Sequence, residues 1–167
     1  MHSIMAHHPQ DANECFHFHL LTEQEIEGRR DVREFLVTYP NTRLSTHLID
    51  PKQYAQYDHP VFTLWTNLRA NLPLLLGDVD RVLYLDTDVL VVGDLRPLFT
   101  LDLQGKYMAM AEEIFLRNRT DFTLPHYLTL PVYNAGVALM DLEQLRKIAL
   151  THQFLAKLRA QYHQLNS

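Results

Sequence analysis

Two aspartates, Asp86 and Asp88, follow directly on the apolar run Val82 to Leu85, with Thr87 between them. Carboxylates this close repel each other when both ionise, so the pair is favourable chiefly where cations neutralise it. Hard divalent ions prefer oxygen ligands and typically complete their shells with a carboxylate or two plus phosphate oxygens of a substrate. A diphosphate suits such a site, and a bound ion would act as a Lewis acid toward charge gathering on a departing phosphate. The alternative is a turn: aspartate favours turns after strands, and D-x-D by itself does not separate the two readings.

An apolar strand buried in a sheet delivers the residues after its carboxyl end to the crevice where open α/β sheets bind ligands. The elements around the pair must therefore build such a sheet. Met1 to His8 reads as the tail of a helix, followed by turn residues Pro9, Asp11 and Asn13. Phe16, Phe18 and Leu20 alternate with His17 and His19, a strand period over Cys15 to Leu21. Thr22 with Glu25 makes a capping-box pattern and predicts a helix from Glu23 to about Tyr39, before Pro40. Arg43 to Asp50 returns to a strand pattern. Leu64, Leu68, Leu72 and Leu75 predict a helix over Thr63 to Leu76, capped by Thr63, disturbed at Pro73 and stopped by Gly77.

Beyond the pair come a second apolar run, Val89 to Val92, and a turn with a helical piece, Asp94 to Phe99. Strands are expected at Tyr107 to Ala111 and Asn134 to Leu142, and a helix at Glu143 to Leu165. Arg117 to Pro131 has no period and reads as an irregular loop, long enough to suggest a function. Alternating helices and strands imply an α/β fold with a buried parallel or mixed sheet flanked by helices.

The 167 residues suffice for one sizeable core, and 47% apolar with 21% charged residues describes a folded chain rather than a disordered one. A formal charge of −5 with dispersed basic residues gives no general attraction for nucleic acid. Cys15 has no intrachain partner, which points to a reducing compartment, the cytoplasm. No apolar run reaches the roughly 20 residues needed to span a bilayer. The ten histidines, including His17 and His19, are read as polar surface, and Trp65 as core.

The segment Arg81 to Phe99, RVLYLDTDVLVVGDLRPLF, resembles the D-x-D segment of glycosyltransferase family 8, which includes bacterial lipopolysaccharide galactosyl- and glucosyltransferases and glycogenin. HFHLLTE, from His17 to Glu23, is similar to that family's early strand, and YNAGVALMDL, from Tyr133 to Leu142, to its later N-A-G-V segment. The resemblance implies a nucleotide-diphospho-sugar transferase (GT-A-like) fold and retaining transfer of a hexose-type sugar from a UDP-sugar to a glycan or lipopolysaccharide acceptor. It implies Mn²⁺, with Mg²⁺ as the alternative. By the same resemblance Asp86 contacts metal and ribose, Asp88 is the principal metal ligand, and Thr87 lies between them in the donor site.

Arg69 falls where the family's T-Y-x-R-L segment places an arginine near the donor, although its neighbours here are Thr66, Asn67, Leu68 and Ala70. An arginine suits charge-assisted contacts to donor oxygens; a solvated helix face is the alternative. Asn134, Ala135 and Gly136 match the family's N-A-G, whose asparagine faces the donor sugar, and the glycine lets backbone approach a ligand closely. Glu113 is assigned to an acidic, sugar-contacting position.

Two family elements are not found: the opening strand with its nucleotide-contacting segment, and the C-terminal histidine that completes the metal site. Residues 1–167 are therefore expected to form a single partial catalytic domain, truncated at both ends, whose missing segments would carry any peripheral attachment to the inner face of a membrane. One alternative is a non-catalytic remnant that binds partners through an open sheet edge. Another starts from LYLDTDVL, which also resembles the first motif of haloacid-dehalogenase-type phosphatases, but the acidic downstream motif of that family is lacking.

Overall fold

A computed structural model describes residues 1–8, 14–55, 64–112 and 133–165, with residues 158–165 described as backbone alone. The turn residues Pro9, Asp11 and Asn13, the Thr63 cap and the expected loop Arg117 to Pro131 lie outside them. A short helix α1 (His2–Ala6) precedes strand β1 (Phe16–Thr22), helix α2 (Arg30–Thr38) and strand β2 (Thr42–Leu48). The two strands run parallel, in register from Phe16 opposite Thr42 to Thr22 opposite Leu48.

Helix α2 starts at Arg30, not at Glu23. The Thr22 hydroxyl is taken up locally, donating to the Gln24 carbonyl at 2.9 Å and accepting from the Gln24 amide at 3.2 Å, so it closes a turn instead of capping a helix. The helix begins where Asp31 can serve its first turn, accepting from the Val32 amide at 3.0 Å. It then buries Val32 and Phe35.

Between Leu64 and Leu75 the expected single helix becomes α3 (Leu64–Leu68), a tight 3₁₀ turn (Arg69–Asn71) and α4 (Leu72–Leu75). Pro73 is the cause: it has no N–H and its ring clashes with the carbonyl four residues back. In the first turn of a new helix the missing N–H costs nothing. The carbonyls at the far end of α4 are satisfied by Arg146, which donates to Pro73, Leu76 and Val79 oxygens at 3.3, 3.2 and 3.0 Å. Trp65 is exposed, contrary to its expected place in the core.

Strand β3 (Arg81–Leu85), helix α5 (Arg96–Phe99), strand β4 (Met108–Glu112) and strand β5 (Tyr133–Asp141) follow. They form a three-stranded sheet of order β3-β5-β4, antiparallel throughout. Among the described residues the strands thus fall into one parallel pair and one antiparallel sheet of mixed overall direction. The run Val89 to Val92 is no strand: Val91 is buried while Leu90 and Val92 are exposed.

The helix expected over Glu143 to Leu165 is two, α6 (Leu142–Lys147) and α7 (Leu150–Leu165), parted at Ala149, whose φ of 51° is left-handed. Apolar spacing continues across the break, so periodicity gives no warning. Asp141 caps α6 by accepting from the Gln144 amide at 2.9 Å. The redirected α7 brings the buried Thr151 hydroxyl within 2.7 Å of the Ala70 carbonyl. Leu72, Leu76, Ala138, Met140, Leu142 and Leu145 form a core between α4, β5 and α6, with Val82, Tyr84, Met108 and Met110 packed against it. Among the described residues no helix is long and apolar enough to cross a membrane.

On the parallel pair, the histidines of β1 and β2 share a face. His17 meets the Ser45 hydroxyl at 2.8 Å, and His19 meets His47 at 3.0 Å. Burial, then the neighbouring His17 and His47 rings, pushes His19 down from 6.5 to about 4, and burial also lowers His47. An unfolded chain takes up these protons at the ordinary value while the folded one resists, so stability falls with pH below that value, and the loss from His19 is complete near pH 4. Urea unfolding between about pH 7 and 4.5 should show a shallower acid loss in His19→Gln than in the parent chain; parallel curves would contradict this.

Candidate functional site

The site grows out of one face of the antiparallel sheet. Val82 lies opposite Met140, and Tyr84 opposite Ala138; Met108 and Met110 sit beside the same two β5 residues. Side chains two apart on a strand share a face, so the next step of β3 along that face is Asp86. Its backbone amide donates to the Gly136 carbonyl at 2.8 Å, which continues the ladder one residue past the strand. An apolar row therefore ends in a carboxylate at the sheet's edge.

Asp86 is held from both sides. The Tyr84 hydroxyl donates to its Oδ1 at 2.5 Å. Its Oδ2 lies in the notch that Gly136 leaves, where an added Cβ would come within 2.8 Å. The sequence reading gave Gly136 to a ligand; the structure instead shows the room it makes for the Asp86 carboxylate. Gly136 is itself fixed, its amide donating to Asn134 Oδ1 at 2.8 Å.

Arg69 is half-buried, not spread on a solvated helix face. It leaves the 3₁₀ turn made necessary by Pro73, donates Nε to the Thr66 carbonyl at 2.7 Å, and donates Nη1 to the Ala135 carbonyl. Its guanidinium carbon lies 5.1 Å from the centre of the Tyr84 ring, a cation–π contact. Burial, and then the bond to Asp86, pushes the Tyr84 phenol up to about 12, so at neutral pH it remains a donor. Thr87 and Asp88 are exposed, and Val89 turns back to the Asp86 carbonyl at 3.2 Å.

The structure thus brings together Arg69, Asp86, Asn134, Ala135 and Gly136, with Thr87 and Asp88 on the turn that follows. Glu113 lies outside the described residues. Tyr84 was missed by the sequence reading, yet its signal was present: it sits two residues before Asp86 and so on the same strand face.

Hard carboxylate oxygens on consecutive positions of a turn fit Mg²⁺ or Mn²⁺ when phosphate and water complete the shell. Among the described residues no group of three or more His, Cys, Asp or Glu side chains could hold a metal by itself. The donor set therefore suits an ion brought or completed by a phosphate ligand, rather than a closed protein cage.

The sequence model of Glycosyl transferase family 8 matches residues 1–166. A probable galacturonosyltransferase-like 7 of Arabidopsis thaliana is 29% identical over 171 residues, which cover 90% of this chain and 45% of that protein. Glucoside xylosyltransferase 1 of Homo sapiens is 31% identical over 142 residues, 78% of this chain and 31% of that protein. The chain thus spans less than half the length of these relatives. Among solved structures, the galactosyltransferase LgtC in complex with donor and acceptor sugar analogues superposes with a TM-score of 0.67 at 22% identity, over 95% of this chain and 59% of that one. The likeness shows the GT-A-type α/β fold.

The notch over Gly136 can be tested directly. Gly136→Ala places a methyl 2.8 Å from Asp86 Oδ2 and 3.1 Å from Asn134 Oδ1, whereas nothing lies within 4 Å of a Cβ at Gly93. Urea unfolding should find Gly136→Ala destabilised by about 1–3 kcal/mol and Gly93→Ala within about 0.5 kcal/mol of the parent. Equal stabilities would show that the close approach is not a constraint.

Proposed function

Since the chain belongs to glycosyl transferase family 8 and is a glycosyltransferase by family, we propose that it moves a hexose-type sugar from a UDP-sugar to a glycan or lipopolysaccharide acceptor, with retention. The observation that carries this reading is the carboxylate pair at the end of β3, one member locked against β5 and the other exposed on the turn beyond it. In this reading residues 1–167 form one partial catalytic domain acting in the cytoplasm, at the inner face of the membrane where a lipopolysaccharide precursor would be met. The family match displaces the phosphatase alternative.

Asp86 and Asp88 would hold Mn²⁺, or Mg²⁺, together with the diphosphate of the donor. When bound, the ion supplies Lewis-acid stabilisation of charge on the nucleoside-diphosphate leaving group. Arg69 adds a fixed positive charge beside the pair, its orientation set by the Thr66 and Ala135 carbonyls. Asn134 and Ala135, at the start of β5, border the space above Gly136 and would orient the donor sugar. Thr87 offers a hydroxyl between the two ligands, and Glu113 an acid toward the sugar. No carboxylate of the site is assigned as a nucleophile, so retention in this reading proceeds by front-face attack guided by the leaving diphosphate.

A thermal melt tests this reading. Saturating UDP with Mn²⁺ should raise the melting temperature by about 5–10 °C, and Asp88→Ala should remove the shift without lowering the melting temperature of the ligand-free chain. No shift in the parent chain would favour a non-catalytic remnant.

A further inference from the structure

Resting on the donor-site reading, we propose that Tyr84 is a positioning residue: its hydroxyl sets the direction of the Asp86 carboxylate, and Arg69 clamps the Tyr84 ring that carries it. The geometry is a closed loop of contacts. The Tyr84 hydroxyl reaches Asp86 Oδ1 at 2.5 Å; the Asp86 amide reaches the Gly136 carbonyl at 2.8 Å. The peptide bond leads back from Gly136 to Ala135, whose carbonyl accepts from Arg69. Arg69 closes the loop at 5.1 Å from the Tyr84 ring centre.

Each link removes a freedom that an aspartate on a turn would otherwise keep. The carboxylate has one oxygen on a phenol and the other in a notch made by a missing side chain, so rotation about its side-chain bonds breaks a hydrogen bond or meets backbone. The ring cannot slide, because one of its sides packs against the apolar core around Ala138 and a guanidinium lies against it. The guanidinium is held by carbonyls from two segments far apart in sequence. A ligand-binding carboxylate fixed in this way loses little conformational entropy when an ion or ribose arrives.

Tyr84→Phe separates this role from packing, since it keeps the ring, its core contacts and the Arg69 stack while deleting only the hydroxyl. Calorimetry with UDP and Mn²⁺ is made on the parent chain, Tyr84→Phe, Asp86→Asn and the double variant, alongside urea melts of each. Tyr84→Phe is expected to stay folded and to bind about 10-fold more weakly, while adding little to the loss already caused by Asp86→Asn. Where the Asp86→Asn variants bind too weakly to measure, crystal structures of the parent and Tyr84→Phe decide: a carboxylate turned out of the Gly136 notch supports the proposal. Unchanged affinity in Tyr84→Phe, additive losses, or a carboxylate left in place overturns it while the donor-site reading stands. No binding by the parent chain overturns both.

Discussion

The antiparallel pairing of β3 with β5 is the constraint on which the rest of the site depends. Backbone groups inside a sheet must be paired, and side chains alternate between faces, so one register decides which residues of β3 meet the core and which follow them to the edge. With Tyr84 opposite Ala138, the face that carries Val82 and Tyr84 also carries Asp86, and the Gly136 carbonyl receives the Asp86 amide. A slip by one residue would send all three side chains to the opposite face and put Val137 in place of the glycine. The apolar residues that hold the sheet to α4 and α6 therefore also aim the carboxylate.

The helical layer answers the same register from the other side. Pro73 forces a tight turn just where Arg69 leaves the chain, and Thr151 of α7 ties that turn down through the Ala70 carbonyl. Arg146 of α6 collects the carbonyls that follow α4 and reaches Asp80 at 3.1 Å, immediately before β3 begins. These are polar contacts made by half-buried or buried side chains, each satisfying a backbone group that would be costly to leave unpaired. They couple the entry of β3 and the seat of Arg69 to one core.

Much of this was legible in residue order, and the rest was not for identifiable reasons. The strand before Asp86, the N-A-G strand and the disturbance at Pro73 follow from local chemistry, since runs of apolar residues, a missing N–H and a missing Cβ act wherever they stand. The late start of α2 did not follow, because the Thr22 hydroxyl serves a turn as readily as a helix cap. Nor did the break at Ala149, where the need to bring Thr151 to Ala70 overrides a continuous apolar pattern. Within the site, motif spacing named Asp86, Arg69 and Gly136, but only the cross-strand register reveals that the glycine accommodates the aspartate and that a tyrosine joins them. Such pairings are properties of two segments about 50 residues apart, which no single window contains.

Charge explains why these particular partners hold Asp86. A guanidinium bonded directly to the carboxylate would fix it as firmly, but would cancel the charge that a cation has to meet. The described partners of Asp86 are a neutral hydroxyl and a backbone amide, while Arg69 spends its bonds on carbonyls and its face on the tyrosine ring. The carboxylate is thereby oriented without being neutralised, and its repulsion with nearby Asp88 is left for a cation to relieve. Arg69 remains close enough to add positive charge beside a diphosphate without competing for the metal ligand. An aspartate oriented by neutral donors, with its arginine displaced onto a ring, is the arrangement expected of a site that must stay negative until a cation and an anionic ligand arrive together.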